Sequence, residues 1–343
     1  MRLVVTGGAG FVGSNFVRHW LRGHPADAVV VYDLETYAGD RADLRDVEIS
    51  AADRYRFVHG DITDPDAVED VIRRARPDAV VNVAAESHNS RAVLDPSMFV
   101  RTNVLGTQVL LDAARRSGGV RFHQVSTCEV YGELPLDSAE TFSETSPYRP
   151  RSPYSASKAS ADLLVRAYGE TYGLPVTISI SSNNYGPWQH PEKVIPLFTT
   201  SALEDRPLPL YRRSDHRREW LHVDDHCRAI ELILERGRPG ETYNVGSADE
   251  RGIEELADTI LAALGKPADL KSYVPDRPGH DTRYLLDHRK IAAELGWEPR
   301  IPFAEGLRRT VDWYRENAEW WRARRRRAAV QVDEGSWGSV ARG

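Results

Sequence analysis

Through the first half of the chain, short and mostly apolar runs alternate with longer stretches whose apolar positions recur every three to four residues. The runs Arg2–Thr6, Ala28–Asp33, Arg56–His59, Ala79–Val83, Arg121–Ser126 and Val176–Ser181 lie next to Gly, Pro or Asp and predict strands. Between them, Gly13–Leu21, Asp66–Arg74, Phe99–Ser117 and Ser155–Tyr172 carry helical spacing. Strand–helix alternation of this kind predicts an α/β fold, with a doubly wound parallel sheet covered by helices on both faces. After about residue 185 the pattern loosens and prolines crowd in (Pro187, Pro191, Pro196, Pro207, Pro209), which marks a smaller, mixed α/β part suited to substrate binding. Arg218–Glu231, as a strand end plus helix, and Glu241–Val245, as a strand, are expected to return to the first domain. The expected division is 1–185 with 218–245 as one domain, and 186–217 with 246–325 as the other. Residues 326–343 are expected to form a disordered tail, and the basic run Arg322 to Arg327 reads as a solvated helix end before it. No fixed-period repeat is evident.

Composition narrows the function classes. The 343 residues are 41% hydrophobic, enough for a sizeable core, and their net charge of −6 excludes a global nucleic-acid footprint. Two cysteines, Cys128 and Cys227, exclude a disulfide scaffold and suit a reducing cytosol. No apolar run reaches the roughly 18 residues of a membrane span, and Met1–Thr6 runs straight into glycines with no leader-peptide pattern. A soluble, cytoplasmic protein without a metal is expected.

The first chemical signal is Thr6-Gly7-Gly8-Ala9-Gly10-Phe11-Val12-Gly13, directly after a strand and opening a helix. Gly7, Gly10 and Gly13 let the backbone approach a pyrophosphate, Phe11 and Val12 begin the helix, and its N-terminus offers unpaired N–H groups. Asp33 ends the next strand, where a carboxylate accepts hydrogen bonds from the adenosine ribose and repels a 2′-phosphate, favouring NAD over NADP. Asp61 and Ile62, after the third strand, are placed to contact adenine. The pattern is that of a Rossmann-type NAD domain.

The second is Tyr154-Ser155-Ala156-Ser157-Lys158, a phenol and an amine one helical turn apart. The lysine's charge is expected to lower the phenol pKa and make Tyr154 a base, and Lys158 to hold the nicotinamide ribose. Ser126-Thr127-Cys128-Glu129 follows a strand at the carboxyl edge of the sheet, where open α/β sheets bind ligands. Thr127 is suited to hydrogen-bond a sugar hydroxyl, and Glu129 to remove a C–H proton acidified by a neighbouring ketone.

These motifs, with Ala84–His88, Ser182–Pro187, Pro191–Leu197, Arg218-Glu219-Trp220 and Asp276–Asp281, resemble the nucleotide-sugar 4,6-dehydratases of the extended short-chain dehydrogenase/reductase type, dTDP-glucose 4,6-dehydratases above all. The resemblance covers roughly residues 1–320. It implies a dTDP- or UDP-hexose substrate, bound NAD reduced and reoxidised within one cycle, and a homodimer built on the helices Phe99–Ser117 and Ser155–Tyr172. It further implies that Ala84, Ala85, Thr102 and Asn184 contact the cofactor. Ser87, His88, Asn183, Lys193, Val194, Pro209, Tyr211, Arg218, Arg277 and His280 would face the nucleotide sugar. Tyr154 would take the C4 hydroxyl proton, Glu129 the C5 proton, and the residue at 128 would protonate the departing C6 oxygen.

The chain departs from that pattern around the substrate. Cys128 stands where the family has an acidic aspartate: a thiol is protonated at neutral pH but is a weak hydrogen-bond donor. Asn89-Ser90-Arg91 replaces the usual Val-Asp-Arg after His88, Ile180-Ser181 replaces Arg-Cys, and Ile253 replaces an asparagine. Glu129, once protonated from C5, is a second candidate for the leaving-group proton. Alongside 4,6-dehydration stand a 5,6-dehydratase that returns the hydride to C4, a 4-epimerase, and a non-catalytic nucleotide-sugar binder.

Overall fold

The computed structural model describes residues 1–212, 215–276 and 281–328. The expectations for Arg277, His280 and residues 329–343 lie outside them. The strands are β1 (Arg2–Thr6), β2 (Ala28–Asp33), β3 (Tyr55–His59), β4 (Ala79–Asn82), β5 (Arg121–Thr127), β6 (Val176–Ser181), β7 (Asn183–Tyr185), β8 (Leu208–Tyr211), β9 (Arg217–His222), β10 (Thr242–Val245), β11 (Glu250–Gly252) and β12 (Lys271–Val274). Seven make one sheet in the order β10-β6-β5-β4-β1-β2-β3, parallel at every pairing. The strand order reverses between β1 and β4, and ligands of open α/β sheets bind outside the carboxyl ends at such a crevice.

Both faces of this sheet are covered. One layer packs Val68 and Ile72 of the Pro65–Ala75 helix, Leu110 of Thr107–Arg116 and Val165 of Pro153–Tyr172. The opposite layer packs Phe16, Val17 and Trp20 of Phe11–Gly23 with Ile230 and Leu234 of Val223–Arg236. Burial on both faces is why these strands read as continuous apolar runs rather than alternating ones. Each such side chain contributes roughly 1.5–3 kcal/mol when fully buried.

Local chemistry sets the helix starts. Asp64 accepts from Asp66 N and Ala67 N, each at 3.1 Å, ahead of Pro65. Ser152 and Ser155 cap each other reciprocally ahead of Pro153, which fixes Tyr154 and Lys158 in the first two turns. The stretch expected as one helix from Phe99 to Ser117 is instead Pro96–Phe99, a wide π turn over Val100–Gly106, and Thr107–Arg116. Ile62 presses on Gly106 there, 2.5 Å from where a Cβ would stand.

Two expectations need correction. Of the returning segment Arg218–Glu231, the helix packs on the main sheet, whereas β9 stays out of that sheet and pairs with β7, within 1–185, and β11, within 246–325, in a separate three-stranded sheet. The basic run is not uniformly solvated: Arg324, in the Ala318–Ala328 helix, is 7% exposed, because it reaches the buried Asp43 at 2.6 Å and covers the Trp320 ring. The smaller part gathers Ile195, Phe198, Leu256, Ile260 and Val311 beneath the β8–β12 pair. No helix among the described residues is long and apolar enough to cross a membrane.

Candidate active site

One continuous cleft, with a cavity of about 670 Å³, runs along the carboxyl ends of the sheet from Asp33 to Arg218. At one end the β1 turn forms a cradle. Gly7 has φ +66° and donates to Tyr32 O at 3.0 Å, and a Cβ on it would stand 2.6 Å from the Ala84 backbone. A Cβ on Gly13 would stand 2.2 Å from Gly7 O, so only glycine lets the helix start this close to the turn. Asp33, 9% exposed, accepts from Ala9 N at 2.9 Å and Glu35 N at 2.7 Å, while burial pushes its carboxyl pKa up. Asp61, Ile62, Ala84, Ala85, Thr102 and Asn184 line the same cleft with Gly10, Phe11 and Val12. The glycine cradle, a helix N-terminus and a carboxylate at the end of β2 fit a dinucleotide.

At the middle of the cleft, Thr127 at the end of β5 meets Tyr154, Lys158 and Glu129. Thr127 stands beside the Tyr154 phenol and acts to lower its pKa. Tyr154 is held well above the ordinary phenol pKa, first by burial and then by the Glu129 carboxylate. This is opposite to the direction expected from Lys158. The lysine is itself desolvated, which pushes its pKa down, and its Nζ turns to Val125 O at 2.8 Å. Asp162, one turn beyond, lies in the field of Lys158 and accepts from Ser126 Oγ at 2.5 Å and Tyr148 at 3.1 Å. Glu129 is gripped by Asn89, whose Nδ2 donates to both carboxylate oxygens at 3.1 and 3.3 Å and whose Oδ1 accepts from Ser152 Oγ at 3.0 Å.

Cys128 is not among the residues lining the cleft. It is 1% exposed and packs in the apolar layer with Val130, Tyr131 and Leu286, its thiol pushed up by burial. β5 ends at Thr127 and Cys128–Tyr131 is a 3₁₀ turn; Thr127 and Glu129 line the cleft, while Cys128 lies beneath it in the same buried cluster as the cleft-lining Tyr284.

Toward the other end lie Ser87, His88, Asn183, Lys193, Val194, Pro209, Tyr211 and Arg218. Lys193 donates to Ser87 O at 2.8 Å. Arg218 is buried, donates to Asp281 O at 2.5 Å and Thr282 O at 3.0 Å, and lies 4.7 Å over the Tyr284 ring. Asn183 Oδ1 is buried with no hydrogen bond from a described residue.

Sequence reasoning missed several groups that shape the site. Asp162 stood four residues beyond Lys158 on one helical face and was legible by spacing. Asn103, which donates to Ser157 at 2.8 Å, and His226, which meets Asn184 at 2.7 Å, come from distant elements and left no local signal. Tyr284 lines the cleft from beyond the Arg218 strand.

Comparison with known proteins places this cleft. The family model described as GDP-mannose 4,6 dehydratase matches residues 4–310. A dTDP-glucose 4,6-dehydratase of Streptomyces niveus is 50% identical over 325 residues, covering 94% of this chain and 95% of that one. One of Mycobacterium tuberculosis is 51% identical, covering 94% and 96%. The crystal structure of a dTDP-glucose 4,6-dehydratase of Streptomyces venezuelae with NAD bound superposes at TM-score 0.91 with 51% identity, covering 94% of this chain and all of that one. A UDP-glucose 4-epimerase of Thermotoga maritima superposes at 0.85 with 29% identity, over 93% and all of the two chains.

Proposed function

The chain belongs to the dTDP-glucose 4,6-dehydratase-like branch of the extended short-chain dehydrogenases/reductases, and from that premise we propose that it converts an NDP-glucose, dTDP-glucose foremost, to the 4-keto-6-deoxy sugar. The observation that carries this reading is the convergence of Thr127, Glu129, Tyr154 and Lys158 midway along a cleft that begins at a dinucleotide cradle. When bound, NAD⁺ would supply the hydride acceptor for C4 and the hydride donor for C6; Lys158 and Asp33 would hold its two riboses, and Gly7–Gly13 its pyrophosphate. Tyr154, beside Thr127, takes the C4 hydroxyl proton. The ketone so formed acidifies C5, and Glu129, held by Asn89, takes that proton while the C6 hydroxyl departs. Lys193, Arg218 and Asn183 suit the diphosphate and base.

Leu105 and Leu163 are exposed at 46% and 55% on adjoining helical segments, which also expose Val100 and Tyr172. This apolar face supports a homodimer, and a stable monomer in sedimentation at micromolar concentration refutes it. Two free thiols support a cytoplasmic setting. The division into an NAD domain, 1–185 with the returning 218–245 segment, and a substrate domain is part of the same reading.

The test is incubation with dTDP-glucose, UDP-glucose and UDP-N-acetylglucosamine, each deuterated at C4, followed by mass spectrometry and NMR. Loss of water with deuterium at C6 is the expected result. Deuterium returned to C4 with alkene signals establishes a 5,6-dehydratase instead, and no loss of water from any of the three overturns the dehydratase reading.

A further inference from the structure

At the edge of the sheet opposite the cleft, two histidines and two glutamates converge. His19 lies in the Phe11–Gly23 helix and His24 caps its end, while Glu231 and Glu235 stand one turn apart on the Val223–Arg236 helix. His19 Nε2 is 2.7 Å from Glu231 Oε2. His24 Nε2 is 2.8 Å from Glu231 Oε1 and 3.9 Å from Glu235 Oε1. Among the described residues, His24, Glu231 and Glu235 are the one group of three acidic, histidine or cysteine side chains whose ligand atoms all lie within 4.8 Å of one another. Ligands about 2.0–2.1 Å from a tetrahedral zinc stand about 3.3 Å apart, a spacing that the three separations bracket.

The ligands are held in place from outside the cluster. The His24 ring is stacked on the fully buried Trp20, with centroids 4.1 Å apart and planes 23° apart. Arg54 donates to His24 O at 3.1 Å and to Asp27 O at 2.9 Å, which fixes the loop between the helix and β2. The second ring nitrogen of His24, Nδ1, faces Asp27 Oδ2 at 4.0 Å, the kind of outer carboxylate that orients a ligating imidazole. Asp27 also pairs with the Met1 amino group. Phe16, Val17 and Trp20 pack with Ile230 and Leu234, so the two helices that carry the ligands share one apolar seam. The His19 hydrogen bond, against burial, and then that of His24 hold Glu231 below the usual carboxylate range, in the ionised form a cation requires. Glu235 is exposed and leaves a path of entry.

We propose that His24, Glu231 and Glu235, with His19 as the fourth ligand, form a zinc site that clamps the Phe11–Gly23 and Val223–Arg236 helices together. Imidazole nitrogens among carboxylates suit zinc rather than magnesium or calcium, whose sites are built of oxygen. On binding, each imidazole gives up its Nε2 hydrogen bond to Glu231 and takes the tautomer protonated at Nδ1, which for His24 turns the N–H toward Asp27. Four protein ligands close the site, so its role is structural. The clamp bears on the cofactor end of the fold through the helices themselves. One of them begins at the glycine cradle, about 20 Å away, and the other carries His226, which meets Asn184 at 2.7 Å. The assignment is independent of the dehydratase reading.

The bland alternative is that the histidines and glutamates tie the helices together by hydrogen bonds with no ion between them. The untagged chain, loaded with NAD and stripped of metal with a chelator, is titrated with zinc sulfate and followed by calorimetry and thermal unfolding. One zinc per chain is expected, with the unfolding temperature raised by about 3–4 °C at a hundredfold excess over Kd. Cobalt(II) in place of zinc should give the intense visible bands of tetrahedral coordination, and magnesium at the same concentration should leave the unfolding temperature unchanged. His24→Gln and Glu231→Gln are each expected to weaken zinc binding at least about 100-fold, and Glu235→Gln about tenfold. Glu235 is exposed, so its variant decides the matter should Glu231→Gln fail to fold. Absence of saturable zinc binding up to about 100 µM overturns the proposal. Undiminished binding in His24→Gln places the ion elsewhere and overturns it too, as does an equal rise in unfolding temperature with magnesium.

Discussion

Replacing Asn89 by valine removes both hydrogen bonds to Glu129 while leaving the rest of the first-half site in place. At 3.1 and 3.3 Å these bonds are longer than the strongest charge-assisted ones and share one Nδ2, so together they are worth about 1.5–3 kcal/mol, the range for a single bond to a charged group. Converted at 1.36 kcal/mol per decade, the loss corresponds to roughly 10- to 150-fold in whichever step depends on the orientation of Glu129. That step is removal of the C5 proton, which exchange of the C5 hydrogen in D₂O reads directly. The preceding step, oxidation at C4, depends on Thr127, Tyr154 and Lys158 and is followed in a single turnover by nicotinamide absorbance. Asn89→Val is therefore expected to slow C5 exchange by one to two decades and leave the absorbance transient within about twofold. Ser152 loses its acceptor as well, at a stability cost of about 0.5–1.5 kcal/mol. Asn89→Gln offers the same donors on a longer stem, so recovering part of the exchange rate with it ties the effect to hydrogen bonding rather than to bulk. An equal slowing of both steps, or an unchanged exchange rate, refutes the claim that Asn89 positions the base.

Three further outcomes follow from the same structure. His123, His190 and His226 are buried and their pKa values are pushed from 6.5 down to about 3 by desolvation, so the folded state stays neutral where the unfolded chain binds protons. Stability is retained above pH 6.5 and lost as pH falls toward 3, by about 1.4 kcal/mol per histidine per unit, and urea unfolding at pH 7, 6 and 5 should show the slope, which His123→Gln reduces by about a third. Gly13→Ala places a Cβ 2.2 Å from Gly7 O, so the purified variant is expected to carry almost no NAD, measured by the absorbance of cofactor released on acid denaturation. Asp43→Asn removes the nearer of the two carboxylates at the buried Arg324, with Asp40 still 3.5 Å away, and is expected to cost about 3 kcal/mol in thermal unfolding; Asp43→Asn with Arg324→Met should cost less than Asp43→Asn alone.

What the sequence made legible is what local physics dictates. The two-faced burial of the central sheet appears as unbroken apolar runs, and the glycine turn appears as glycines because a Cβ would meet backbone at Gly7 and Gly13. Tyr154 and Lys158 were visible because helical spacing alone puts them on one face. Failures began where direction or distance in space mattered. Cys128 and Glu129 are neighbours in sequence, yet the turn after β5 sends one into the core and the other into the cleft, so adjacency did not imply a shared role. The direction of the Tyr154 shift was misjudged for a related reason: charge proximity was counted without burial, and burial is the larger effect. The change at Asn89 was noticed as a departure, but its meaning depends on meeting Glu129 forty positions away. The Asn89 side chain donates to the base alone, so its effect on catalysis should pass entirely through Glu129. Adding Asn89→Val to Glu129→Gln should then cost the residual C5 exchange nothing further, because the group that Asn89 positions is already gone. A second full loss from Asn89→Val in the Glu129→Gln background refutes the positioning role and makes Asn89 an independent contributor to the site.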